Sequence, residues 1–520
     1  MKLRYSSILL ATLVAMGSCT GDLDQFPHEE TTSNDVYTTL DNYRAVLGKI
    51  YTSMTVNGQG KGGDNADLSS NMGQDYMRSY FNLQECGTDE MASTWLSGDK
   101  VSDLTYLSWD ANDPWVADMY YRIYYNITLT NEFLRYCTDD KIQSLGAEEM
   151  KHFKAEARFM RALFYSHALD FFRNIPFVTE ADPIGSYTPP CYTPAQTFAF
   201  IESELKEIVG DLYPAAECPY GRASQGAAFT LLAKLYLNAE VYIGESRYNE
   251  CIQACQEVEG QGYTLHADRK QLFNADNHLR TDEIIFALPV DAEHNVSWGA
   301  TTYLVCGQVS NTSTLQVPAD YGITSGWGMF RVRGELPAKF ANDDPRAEFF
   351  TDGQTQYLDV IDDQSQGYFC EKWSNLTDAG EAASNTADGG VNTDYPLFRL
   401  ADVYLMEAEA VLRGGTSMSS DAALAKVNAL RERAWGNTDG NIGTSELSLD
   451  FIIDERAREL YLEGYRRTDL IRFGLFTTNA YLWQWKGGVK NGAAVDNKYN
   501  IYPIPLTELT ANPNLSNPNY

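Results

Sequence analysis

Residues 148–172 read EEMKHFKAEARFMRALFYSHALDFF. Phe153, Ala157, Met160, Phe164, Ala168 and Phe171 recur at steps of three and four, which puts them on one face of a helix. Helical patterning continues on both sides. It predicts Asp35–Met54 with Asn34 or Asp35 as cap, Pro114–Cys137, Pro194–Tyr213, Ser224–Tyr242 and Tyr248–Val258, with turns at Gly221 and Gly244. Periodicity then lapses. Residues 261–395 are rich in Gly, Thr, Asn, Asp and aromatics, with strand-like runs such as Glu283–Val290. Helices resume at Arg399–Leu412, Asp421–Trp435 and Leu449–Phe473. The expected fold is mainly α: a scaffold of helical hairpins of TPR-like length, without a strict consensus repeat, around a large loop-rich, partly β lobe. The implied organisation is a helical part over 35–260 with a loop insert at 57–113, the lobe over 261–398, and C-terminal helices and a tail over 399–520 packed into the same unit.

The 520 residues are 44% apolar and 21% charged, which supports a globular fold of more than one ordinary core. Asp and Glu total 71 against 40 Lys and Arg, a formal charge of −31. Such a surface repels phosphate backbones, so no nucleic-acid partner is expected. With 33 Tyr and 9 Trp, the composition points instead to a polar ligand that has apolar faces.

Lys2 and Arg4 precede an apolar run, Ile8–Met16, that is too short for a bilayer span and has the length of a signal core. It ends Met16-Gly17-Ser18-Cys19. Small residues before a cysteine resemble a bacterial lipobox, with Met where Leu is usual. Residues 1–18 are therefore read as a lipoprotein signal, Cys19 as the acylated mature N-terminus, and 19–34 as a tether that holds the protein to a membrane by lipid. The other eight Cys make no CxxC pair and no zinc pattern, and disulfides are permitted but not required.

Gly58-Gln59-Gly60-Lys61-Gly62-Gly63 matches GxGxxG, but a helix precedes it and loop follows, so it reads as a surface loop. HExxH, GxSxG and Walker A patterns are absent, and no carboxylate pair stands out for glycoside hydrolysis. No catalytic residue and no cofactor is expected. Oxygen ligands for a structural Ca²⁺ are conceivable in 274–283, without EF-hand spacing.

The segment 454–474, dense in alternating charge, offers Asp454 to Arg458 and Glu463 to Arg467 as i,i+4 pairs, and reads as a helix that locks neighbouring elements together. Its run ERAREL-YLEG-RR-DLIRFG resembles the C-terminal signature of the SusD-like (RagB/SusD) family of outer-membrane nutrient-binding lipoproteins. Tyr502-Pro503-Ile504-Pro505, Asn512-Pro513-Asn514-Leu515, the final Asn517-Pro518-Asn519-Tyr520 and the acidic Asp22 and Asp24 after Cys19 fit the same pattern. Thr88-Asp89-Glu90, Tyr220-Gly221-Arg222-Ala223, Thr302-Tyr303-Leu304 and Trp483-Gln484-Trp485 are most similar to the starch-binding member.

The resemblance implies four TPR-like helix pairs and a loop-rich lobe with an aromatic arc for an α-glucan. Pyranose C–H faces pack on aromatic rings, while the hydroxyl rim seeks polar side chains. Carried over by position, the arc comprises Trp95, Trp298 (where the relative has Tyr) and Trp327, with Asp75 and Arg78 as polar contacts. Ser93 replaces a second Trp of the arc and Gly98 replaces a sugar-binding Asn, so the arc is thinner here. Restoring the ring with Ser93→Trp is expected to strengthen binding. The implied function is non-catalytic capture of starch-like oligosaccharides at the outer membrane and delivery to a TonB-dependent transporter of the SusC type. Its rivals are a surface glycoside hydrolase and a TPR-type scaffold without a sugar site. The scaffold reading requires the three Trp to be buried and scattered.

Overall fold

A computed structural model describes residues 32–60, 66–68, 72, 74–185, 187–385 and 390–520. The signal segment, Cys19 and Lys61–Gly63 lie outside the described residues. The chain is mainly α. Its principal helices are α1 (Leu40–Thr52), α2 (Tyr76–Glu85), α3 (Pro114–Tyr136), α4 (Ala147–Phe172), α5 (Pro194–Ile208), α6 (Gln225–Leu237), α7 (Tyr248–Gly260), α8 (Ala300–Gly307), α9 (Leu400–Leu412), α10 (Ser420–Trp435), α11 (Leu449–Leu460) and α12 (Arg466–Arg472). α4 lies against α3 and α5, α6 against α7, and α9 against α10 and α11, while α7 packs on α9 across the intervening lobe. No described helix is long and apolar enough to cross a membrane.

Caps set the helix starts. Asp113 accepts from the amides of Trp115 and Val116 ahead of α3, whose first residue is Pro114. Thr193 and Gln196 form a capping box on α5, and Ser224 caps α6. The expected helix 35–54 is two pieces. A turn at Ser33–Val36 ends at Tyr37, and Thr39 then caps α1 by accepting from Asn42.

The expected single helix 449–473 is also broken, between α11 and α12. Leu462 has φ +56° and Gly464 φ +80°. The Leu462 amide donates to Glu90 Oε2 and the Gly464 amide to Glu85 Oε1, each at 2.9 Å. Two buried carboxylates thus capture amides that a continuous helix would bond internally. The expected pairs Asp454–Arg458 and Glu463–Arg467 are not the ones formed. Asp454 pairs with Lys339, Arg458 with Glu455, Glu463 with Lys372 and Arg399, and Arg467 with Asp170. The segment does lock elements together, but by long-range buried pairs. Arg456 joins Asp402 to Asp469, Arg466 grips Asp89, and Glu459 takes Arg399 and Arg433.

Two ribbons bring the lobe onto the helices. β1 (Met91–Ser93) pairs antiparallel with β3 (Phe330–Val332), Ser93 opposite Phe330. β2 (Ile284–Leu288) pairs antiparallel with β4 (Tyr395–Arg399). The stretch 57–113, expected as loop, contains α2, all ten of whose residues are buried. Phe81 of α2, Tyr303 of α8 and Phe330 of β3 meet edge-on or tilted, with centroids 5.4–6.3 Å apart. The lobe therefore shares the core of the helical scaffold.

Candidate functional site

Both ends of α8 carry a ring. Trp298 precedes it by two residues, and Trp327 is tied to its far end by a 2.8 Å bond from the Trp327 amide to the Cys306 carbonyl. The two half-buried rings lie with centroids 6.0 Å apart and planes inclined by 59°. Two indoles at that angle make a corner rather than a flat shelf. Trp95 follows β1. The Thr94 amide donates to the Met329 carbonyl and the Thr94 hydroxyl to the Gly328 carbonyl, both at 2.7 Å, so the pairing of β1 with β3 continues to the residue before Trp95. Trp95 thus leaves the ribbon beside the Trp327–Gly328 backbone, 39% exposed. Of the three aromatic positions expected from sequence, the structure brings Trp298 and Trp327 into contact and runs the Trp95 backbone alongside Trp327.

Asp75 and Arg78 lie below the surface, at 1% and 4% exposure. Asp75 caps α2, accepting from the Arg78 amide at 2.8 Å and from the Ser297 hydroxyl. Its carboxylate packs where a side chain on residue 299 would project, so only Gly fits after Trp298. Burial pushes the Asp75 carboxyl upward, opposed by the hydrogen bonds from Ser297 and Arg78. Arg78 Nη1 donates to the Trp298 carbonyl at 3.0 Å and to Gln74 Oε1 at 3.0 Å, while Nη2 donates to Asp99 Oδ2 at 2.9 Å. The guanidinium lies 4.5 Å from the centre of the Tyr303 ring. Neither residue offers solvent a free polar edge. Both are engaged with the backbone and turn that carry Trp298.

Asp99 was not singled out by sequence, and it joins the two aromatic loops. Its amide donates to the Trp95 carbonyl at 2.9 Å, its carbonyl accepts from Trp115 Nε1 at 2.7 Å, and its carboxylate holds Arg78. Burial raises the Asp99 carboxyl, and Arg78 opposes that rise. A single guanidinium thus links the loop of Trp95 to the loop of Trp298. Only a Trp-x₃-Asp spacing marks Asp99 in sequence, and it is too common to be informative.

The two positions where the arc departs from the resemblance differ in kind. Ser93 is buried within β1, its hydroxyl directed at the Met329 carbonyl. A ring there has no surface to occupy, so the expectation that Ser93→Trp rebuilds the arc is corrected. Gly98 is exposed, and a side chain built on it meets nothing within 4 Å.

Elsewhere, a cavity of about 70 Å³ is lined by Tyr80, His167, Lys234, Asp170 and Arg456, among others. It has room for a few water molecules and belongs to the buried ionic core. In the 274–283 stretch, Asp378 takes the Asn274 amide and pairs with Arg280. No cluster of three or more His, Cys, Asp or Glu suited to a metal occurs among the described residues.

Residues 347–520 match a family model described as the SusD family, and residues 27–237 match one described as starch-binding associating with outer membrane. The starch-binding protein SusD of Bacteroides thetaiotaomicron is 33% identical, over 98% of this chain and 97% of its own. SusD-like protein P25 of Formosa agariphila is 24% identical over 99% and 98%. Among solved structures, surface glycan-binding protein A from Bacteroides fluxus superposes with a TM-score of 0.71 at 20% identity, covering 93% of this chain and all of that one. A laminarin binding SusD-like protein gives 0.69 at 22%, with the same coverage. These two likenesses show the shared fold. One-third identity along nearly the whole of both chains, with family matches at either end, establishes that this chain belongs to the SusD family.

Proposed function

We propose that this protein captures glycans at the cell surface on the Trp298–Trp327 corner, with Trp95 as the third ring, and does no chemistry on them. The carrying observation is the pair of half-exposed indoles 6.0 Å apart at 59°. Each can pack against a pyranose face, and their inclination suits a chain that curves, as α-glucans do. The full-length likeness to a starch-binding protein supports the same ligand class, and two solved structures of the same fold are named for glycan and laminarin binding. In this reading Asp75, Arg78 and Asp99 position the rings from within. Cys19 carries the lipid that holds the protein to the outer membrane, and the captured oligosaccharide passes to a TonB-dependent transporter of the SusC type.

The test is calorimetry of the purified mature protein with maltoheptaose and laminarin, alongside an assay for reducing-end release. Saturable binding without release is expected, little changed by added salt because stacking carries no net charge. Trp327→Ala should lose roughly 1–3 kcal/mol of binding, about the worth of covering a large apolar side chain. Release of sugar, or equal binding by Trp327→Ala, would defeat the proposal.

A further inference from the structure

Stacking on indoles is tolerant. It holds a pyranose face but does not read which hydroxyls the sugar carries or how its units are linked. Directional hydrogen bonds do that, because a partner left unpaired is costly. The polar groups expected from sequence, Asp75 and Arg78, are committed inside the protein. A reader of hydroxyls must come from other residues.

We propose that Asn311 and Gln364 are that reader, an amide rim on the aromatic corner that sets which glycan it accepts; the inference rests on the capture function above. Gly328, next to Trp327, has φ +58° and no side chain. A methyl group there would lie 2.7 Å from Gln364 Oε1, 2.9 Å from Gln364 Nε2 and 3.0 Å from Asn311 Oδ1. The two amides therefore converge over the backbone of the corner, 53 residues apart in sequence. Asn311 is exposed and Gln364 half-buried, so both are open to a ligand. The Thr312 hydroxyl donates to Gln364 Oε1 at 3.2 Å, which orients that amide and turns Nε2 into the available donor.

The supporting loops are tied down. The Ser310 hydroxyl accepts from the amides of Thr312 and Ser313, and Arg331 Nη2 of β3 donates to the Ile361 carbonyl at 2.8 Å. Asn311 thus supplies an acceptor and Gln364 a donor at one edge of the corner, fitted to neighbouring hydroxyls of a neutral sugar stacked on Trp327.

The experiment compares the parent with the double variant Asn311→Ala/Gln364→Ala, and with Gln364→Glu, which keeps the shape but removes the donor. Both residues are at the surface, so the melting temperature should stay that of the parent. Affinity for whichever of maltoheptaose and laminarin the parent prefers should fall about tenfold in the double variant, and the preference between the two should narrow. Quenching of Trp fluorescence at saturation should be unchanged, because the stack survives. A double variant whose dissociation constants and preference match the parent's would overturn the amide rim and leave capture standing. A parent that binds neither glycan would overturn both.

Discussion

Arg78 Nη1 donates to the backbone carbonyl of Trp298 at 3.0 Å, across 220 residues of sequence. The same guanidinium holds Asp99, whose amide closes the turn that begins at Trp95. Arg78→Lys keeps the charge but loses the fork, so it can serve Trp298 or Asp99 and not both. The expected outcome is a folded protein with a lower melting temperature and glycan binding weakened by roughly 1–2 kcal/mol. Arg78→Ala should be worse, by about 3–5 kcal/mol of stability, since it strands a buried carboxylate. Thermal melts and titration calorimetry on the two variants check both effects.

Ser93 and Gly98 separate two ways of thickening the arc. Ser93→Trp forces an indole into a paired strand and should destabilise by at least about 1–3 kcal/mol, with no gain in binding. Gly98→Asn enters open space, so it should leave the melting temperature unchanged and tighten binding by up to about 1 kcal/mol. Tighter binding by Ser93→Trp at full stability would refute the placement of β1.

Arg399 sits at the centre of the buried charges. It reaches Glu459 at 2.8 Å, Glu463 at 2.7 Å and Glu283 at 3.2 Å, fully out of solvent. Arg399→Ala leaves three carboxylates short of a cation and should cost about 3–5 kcal/mol. Glycan affinity of the protein that remains folded should not move. Denaturant melts paired with calorimetry distinguish this from a ligand-contacting role.

Asp113 gives a pH dependence. It caps α3 with Oδ1, while Oδ2 is buried without a partner. Burial raises its carboxyl from 3.8 to about 7. The folded state therefore holds the proton more tightly than the unfolded chain. The stability this contributes is present at acidic pH and is lost as pH rises through about 7. Asp113→Asn keeps the capping oxygen without the charge. It should match the parent near pH 4 and exceed it by roughly 1–3 kcal/mol at pH 8, read from melts across that range. A constant difference at all pH values would refute the assignment.

The helical frame was legible because helices such as α4 show a regular apolar spacing. α2 was not singled out: Arg78, Ser79, Asn82 and Glu85 step along one face of YMRSYFNLQE as in a surface helix, yet that polar face is buried like the apolar one, so nothing in the sequence tells it from an exposed segment of the insert. The break at 461–465 was equally hidden. It is made by Glu85 and Glu90, more than 370 residues away. Trp298 and Trp327 were identified by resemblance, and their contact depends on α8, a short helix without amphipathic contrast. Asp75 and Arg78 were expected as glycan contacts, and the structure engages both with the turn and backbone that carry Trp298. A polar side chain reads the same in sequence whether it faces a sugar or the backbone that presents a ring.

The grip of Arg466 on Asp89, with Nε and Nη2 on its two oxygens at 2.6 and 2.7 Å, also sets an order of events in the life of the chain. Glu85, Asp89 and Glu90 emerge early in synthesis, and Leu462, Gly464 and Arg466, which satisfy them, emerge near the end. Until that last stretch arrives, the early half has acidic groups that cannot be withdrawn from water, so its core stays open. Closure of the first half of the chain is thereby coupled to the arrival of an arginine 377 residues downstream.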